Sequence, residues 1–289
     1  MALIELLQHS LWLLLTATLF LGLLVGSFLN VVAWRVPRML EREWHGQCRE
    51  LLGITPEHTA TADEAPYNLV TPRSRCPLCD HAITALENIP LLSYLVLRGR
   101  CSACGAKISP RYPIIEAATG LLSLLVVWQL GPTPQALAGL LLLWSLIALT
   151  VIDLDHQLLP DNLTLPLLWL GLLLSLGGLF TSPTDAIIGA IAGYLVLWSV
   201  YHAFRLLTGK EGMGYGDFKL LAALGAWFGW QALPAIILFA SLVGAVVGIT
   251  LVLLRGHDRN IPIPFGPYLA AAGLLALLWR DDLIALWGL

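Results

Sequence analysis

Residues 135–156 read QALAGLLLLWSLIALTVIDLDH. The first eighteen, 135–152, carry no charge. As a helix rising 1.5 Å per residue they would extend about 27 Å, close to the thickness of a bilayer's hydrocarbon core. Asp153 follows at once, so one stretch predicts both a membrane helix and a carboxyl group at its end. Apolar blocks of similar kind recur on either side, at residues 11–34, 113–130, 163–180, 186–207, 218–230, 232–254 and 267–287. The expected fold is therefore an all-α polytopic membrane protein of about eight transmembrane helices. The block at 218–230 is short, and its part rich in Ala, Gly and Trp (222–230) suits a half-buried or re-entrant segment equally well.

Composition agrees with lipid as the solvent: 57% of residues are hydrophobic, 12% are charged and the mean hydropathy is +0.78. A soluble globular domain is excluded. The alternating ten-residue strands of a membrane barrel are absent. Residues 11–34 differ from a signal peptide because nothing basic precedes them, they are too long, and no small-residue cleavage pattern follows; they read as an anchor. Orientation follows from the basic residues, which are retained on the cytoplasmic side. Ten of the sixteen lie between Arg35 and Tyr112, and alternating the spans from there puts fifteen of sixteen on one side, Arg280 excepted. The large loop is thus expected in the cytoplasm and both termini outside. Topology accounts for the basic residues, so no nucleic-acid partner is expected.

Three parts are predicted: a first anchor at 1–34, a cytoplasmic loop at 35–112 and a helical membrane domain at 113–289. Residues 39–71 of the loop are expected to be irregular, with 55–66 a mobile linker. Beyond them, Cys76-Pro77-Leu78-Cys79 and Cys101-Ser102-Ala103-Cys104 form two CxxC pairs 21 residues apart. They flank an apolar run, 89–97, that suits a short amphipathic helix on the membrane surface. The spacing is that of a four-thiolate zinc ribbon, and a cytoplasmic location disfavours disulfides. Reduced packing cysteines or a dithiol switch are the alternatives. Four thiolates leave no open coordination position, so zinc held by Cys76, Cys79, Cys101 and Cys104 would be structural. Cys48 is left as a plain buried or free thiol.

Acids at a membrane edge need a reason, since ionised carboxylates are costly there. Asp153 ends the third span and Asp217, in Gly214-Tyr215-Gly216-Asp217, opens the sixth; the two are 64 residues apart but share one depth and side. Two carboxyls in one site hold a single proton between them more readily than two charges. One can then take a proton from water while the other polarises a peptide carbonyl. Glycines before Asp217 would let an extended substrate backbone approach. Blander readings stand beside this one: Asp161 as a helix N-cap, Asp155 as a solvated acid turned away from Asp153, His156 as an incomplete metal ligand, and Asp217 with Lys219 as a helix-capping ion pair.

Ordered motifs cover nearly the whole chain: Gly26-Ser27-Phe28-Leu29-Asn30-Val31-Val32 leading to Arg35-Val36-Pro37; Ser74-Arg75-Cys76-Pro77 with the second cysteine pair; Arg111-Tyr112-Pro113 followed by Glu116; Asp153-Leu154-Asp155-His156 to Leu159-Pro160-Asp161; Gly214-Tyr215-Gly216-Asp217-Phe218-Lys219; and Pro264-Phe265-Gly266-Pro267. By these the chain resembles the bifunctional type IV prepilin peptidases, with no departure at the aspartates or the cysteines. The resemblance implies a bacterial inner-membrane aspartic protease with Asp153 and Asp217 as its catalytic pair. It implies removal of the basic leader of type IV prepilins and type II secretion pseudopilins after a glycine, then methylation of the new N-terminal residue, usually Phe, from S-adenosylmethionine. It associates methylation with the cytoplasmic loop. No Rossmann-type glycine loop is present, so no donor-binding residue is named; Glu116 could hold a substrate amine or pair with Arg111. An ion-coupled transporter using the same acids and a non-enzymatic assembly scaffold are the rival functions.

Overall fold

The computed structural model describes residues 10–53, 66–255 and 263–285. Each predicted apolar block is a helix, and among the described residues there is no strand, only the isolated bridges Arg75–Ala82 and Arg100–Lys107. Five helices, α1 (Leu11–Leu51), α3 (Arg111–Leu130), α4 (Pro134–His156), α6 (Pro183–Thr208) and α8 (Leu233–Arg255), supply segments long and apolar enough to cross a membrane. The other three expected spans fall on α5 (Asp161–Leu176), α7 (Tyr215–Phe228) and α9 (Gly266–Ala285), which are helices but are not among those five. The 14 residues of α7 reach only about 21 Å. The chain separates into two compact units, Met1–Leu125 and Val126–Leu289.

In the first unit, α1 begins at Ser10, whose Oγ accepts the Leu13 N–H, and its inner stripe is Leu15, Thr18, Gly22, Gly26 and Leu29. Small residues let the backbones of α1 and α3 come close: a Cβ on Gly26 would sit 2.8 Å from Glu116 Cα. Asn30 Nδ2 then spans the gap to the Tyr112 carbonyl at 3.3 Å. The expectation that residues 39–71 are irregular is corrected at its start, because α1 continues through Pro37 to Leu51. Residues 39–51 are mostly strong helix formers such as Met39, Leu40, Glu41, Arg42 and Gln47. The proposed linker at 55–66 lies outside the described residues except for Pro66. The apolar run at 89–97 folds as a five-residue helix, α2 (Leu92–Val96), after a 3₁₀ turn at Leu86–Asn88.

The second unit is built around α7. Asp217, Phe218 and Leu220 to Phe228 are all buried, so protein rather than lipid surrounds this short helix. It packs against α6 most extensively, then α5, with α9 and α8 completing the enclosure. Gly189 and Gly225 bring α6 and α7 into backbone-to-backbone contact. Trp227 Nε1 donates to the Leu167 carbonyl of α5 at 2.8 Å, satisfying the polar atom of the largest fully buried side chain. Around the other end, Tyr201, Tyr215 and Phe218 pack ring against ring. The result is a rigid post that carries Asp217 at its foot.

Candidate active site

Helix α4 carries Asp153 in its last turn and ends where Gln157 turns left-handed (φ 51°), its N–H returning to the Asp153 carbonyl at 2.9 Å. The Asp153 side chain is only 5% exposed, and its Oδ2 accepts the Gly266 N–H at 3.0 Å. Gly266 opens α9, so a helix N-terminus points its free donor at the carboxyl. A side chain at that position would displace the carboxyl, since a Cβ there would lie 2.6 Å from Asp153 Oδ2.

Asp217 is the third residue of α7 and is 6% exposed. Its Oδ2 accepts the Gly214 N–H at 3.2 Å, a capping contact that fixes the carboxyl over the start of the helix. Leu159 ties the two acids together: it lies against both Gly216 and Gly266, where added Cβ atoms would be 2.6 Å and 3.0 Å from its side chain. Asp153 and Asp217 are within electrostatic reach of each other. Two buried carboxyls, each with one backbone N–H donor, can divide acid and base roles around a single water. Gly216 makes room for Leu159.

The neighbouring charges sort differently from expectation. Asp161 is not an N-cap. Pro160 holds the cap position of α5, and the Asp161 carboxylate instead takes Lys219 Nζ at 2.6 and 2.8 Å. Lys219 is thus turned toward Asp161, and the anticipated pairing with Asp217 gives way to a tie between the first turns of α5 and α7. Asp155 and His156 are exposed. Among the described residues only the four cysteines are grouped as a metal could use them.

Those cysteines belong to the first unit. Their four sulfurs lie within 4.8 Å of one another, with Cys76–Cys104 at 3.8 Å and Cys79–Cys101 at 3.9 Å. A tetrahedral zinc with Zn–S bonds of about 2.3 Å requires sulfurs about 3.8 Å apart, so the donor set fits the ion. Backbone N–H groups of Leu78 and Cys79 lower the Cys76 thiol to about 7. At Cys79 the N–H of His81 also lowers the pKa, but burial and the other thiols outweigh it and raise the group to about 12. Thiols so crowded need a cation before all can ionise. Cys48 is exposed on α1 rather than buried.

A second layer that sequence inspection missed supports the knuckles. Glu87 accepts from Ser102 Oγ and from Thr84 N and Oγ1 (2.8 and 2.9 Å), and its Oε1 lies 3.2 Å from His81 Nε2. Ser102 and then Thr84 hold its carboxyl down to about 2. Because Ser102 lies inside the second CxxC, this carboxylate fastens one knuckle to the other. Arg35 is 7% exposed and donates to the Asn68 and Pro72 carbonyls at 2.8 and 2.5 Å. Glu116 is buried and accepts the Leu91 N–H at 2.9 Å. The signals for Gly266 and Arg35 were present as the Pro264-Phe265-Gly266-Pro267 and Arg35-Val36-Pro37 motifs, but nothing local revealed their partners.

Comparison with known proteins follows the same division. Residues 20–130 match the bacterial peptidase A24 N-terminal domain, and residues 140–249 match the type IV leader peptidase family. The chain is 62% identical over 284 residues to a prepilin leader peptidase/N-methyltransferase of Aeromonas hydrophila, covering 98% of this chain and 97% of the relative. It is 60% identical over 266 residues to the protein of that name from Pseudomonas aeruginosa, covering 92% and 90%. For the one from Burkholderia pseudomallei (strain 1026b) the identity is 49% over 278 residues, covering 95% and 88%. No solved structure matches.

Proposed function

The chain belongs to the type IV leader peptidase family, and on that premise we propose that it is a membrane aspartic endopeptidase that removes the basic leader from type IV prepilins and type II secretion pseudopilins. The observation that carries this reading is the pair of buried carboxyls, Asp153 and Asp217, each held by one backbone N–H. One carboxylate takes a proton from water, the other donates a hydrogen bond to the scissile carbonyl, and the proton passes to the leaving amine. Cleavage after a glycine would expose a new N-terminal residue, usually Phe, which the same chain methylates from S-adenosylmethionine. Asp153 lies in the last turn of a 23-residue helix, which favours a site at the membrane rim. An ion relay would sit nearer the middle of its helix.

The charge distribution supports an inner-membrane protein with the loop and both acids facing the cytoplasm and both termini in the periplasm. Residues 1–34 would then be an anchor, 35–112 the loop associated with methylation and 113–289 the peptidase domain. Cys76, Cys79, Cys101 and Cys104 would hold zinc. With all four positions taken by thiolates the ion would fasten the loop and carry no step of proteolysis.

The test uses purified protein in detergent and a peptide bearing a basic leader, Gly-Phe and an apolar helix. Asp153→Asn and Asp217→Asn should each lower leader release by roughly 10²- to 10⁴-fold. Release at the normal rate by either variant would show that the carboxyl is not catalytic.

A further inference from the structure

The second cysteine knuckle carries a cationic cleft that neither acid chemistry nor zinc binding uses. Cys101 N–H bonds to the Ala106 carbonyl and Ile108 N–H to that of Gly99, both at 2.8 Å, and between these bonds Arg100 and Lys107 form an antiparallel bridge. Residues paired in this way stand directly opposite, and like charges so placed repel. Arg98 and Gly99 both adopt left-handed backbone (φ 51° and 67°), unusual for an arginine. Tyr94 lies so close to Gly99 that a Cβ there would be 2.9 Å from its Cζ and Oη. Together Tyr94, Arg98, Arg100, Lys107 and Ser109 wall an open cleft of about 450 Å³ that no acidic residue lines. Among the described residues none of the three cations forms an ion pair. Three exposed positive charges without an acidic partner, two of them opposite one another on a bridge, suit an anion.

Its surroundings say which one. Tyr94 belongs to α2, whose Leu92, Leu95 and Val96 are 55%, 70% and 71% exposed. Ser109 and Pro110 lead directly into α3, an apolar helix long enough to cross a membrane, whose first turns expose Tyr112 and Ile114. Exposed apolar residues beside cations, at the foot of a membrane helix, match the boundary between headgroups and acyl chains. A methyl donor fits poorly, because its sulfonium and amine are positive and the cleft offers no carboxylate.

We propose that the cleft formed by Tyr94, Arg98, Arg100 and Lys107 binds the phosphate headgroup of an anionic phospholipid, while Leu92, Leu95 and Val96 enter the acyl layer. This would fasten the cysteine loop to the bilayer at the base of α3. It depends on the membrane setting and not on the peptidase assignment.

The experiment strips lipid from the full-length protein in detergent, adds back phosphatidylglycerol, phosphatidylcholine, inorganic phosphate or S-adenosylmethionine, and counts retained ligand by native mass spectrometry. Phosphatidylglycerol should be retained in preference to phosphatidylcholine. Retention should fall about fivefold for each cation removed, through Lys107→Gln to the triple variant Arg98→Gln/Arg100→Gln/Lys107→Gln. Arg38→Gln/Arg42→Gln on α1 should leave it unchanged. If the triple variant does not fold, the single Lys107→Gln, which relieves a repulsion, decides. Equal retention of the two lipids, retention unchanged by Lys107→Gln, or occupancy of the cleft by phosphate or S-adenosylmethionine in place of lipid would overturn the proposal.

Discussion

The cysteine loop and the carboxyl site solve opposite electrostatic problems. In the loop, four thiols crowd together, and although the His81 N–H lowers it, burial and then the neighbouring thiols push the Cys79 thiol up to about 12, a condition that a cation relieves. In the helical unit, two acids are buried with one backbone donor each and Lys219, the nearest basic residue in the motif, is turned away to Asp161. On the proposed peptidase reading, the missing counter-charge would let the two acids share one proton, as acid–base chemistry requires. The first region thus suits a cation, and the second leaves its two carboxyls without one.

Breaking the aspartate side of this contrast should have the largest effect, the roughly 10²- to 10⁴-fold loss of leader release already described. Gly266→Ala comes next. Its Cβ would intrude to 2.6 Å from Asp153 Oδ2, and if an overpacking cost of about 1–3 kcal/mol falls on the transition state, leader release would slow by about fivefold to about 150-fold. Steady-state kinetics on the same peptide would check it, with the fall expected in kcat. On the cysteine side, Glu87→Gln should speed zinc loss to a chromogenic chelator by about tenfold, because the link between knuckles weakens while all four ligands remain. Lys219→Gln should be the mildest. The Lys219–Asp161 pair is partly exposed, worth about 0.5–1 kcal/mol, so leader release should drop about two- to fivefold. The exchange Lys219→Asp/Asp161→Lys should recover most of it.

The two regions were also unequally legible. The cysteine pairs declare themselves because both arms of each knuckle lie within four residues, and the apolar blocks fix the helices because hydrocarbon thickness sets their length. The helix ends were less readable: α1 runs past Pro37 because residues 39–51 favour helix without being apolar, and a hydropathy reading sees only the apolar part. Asp161 looked like a cap because capping is judged from neighbours in sequence, whereas its partner Lys219 is 58 residues away. Gly266 supplies the donor to Asp153 across 113 residues. Contacts of that range depend on how α4, α7 and α9 pack, which no local pattern encodes.

Leader release and bound zinc, determined on the same preparations of the unaltered protein, Asp153→Asn, Asp217→Asn and Cys76→Ser, test the division between the two regions most directly. The expected result is that both aspartate variants lose release and keep about one zinc per chain, while Cys76→Ser loses the metal and still cleaves. Leader release at the normal rate by either aspartate variant would contradict it.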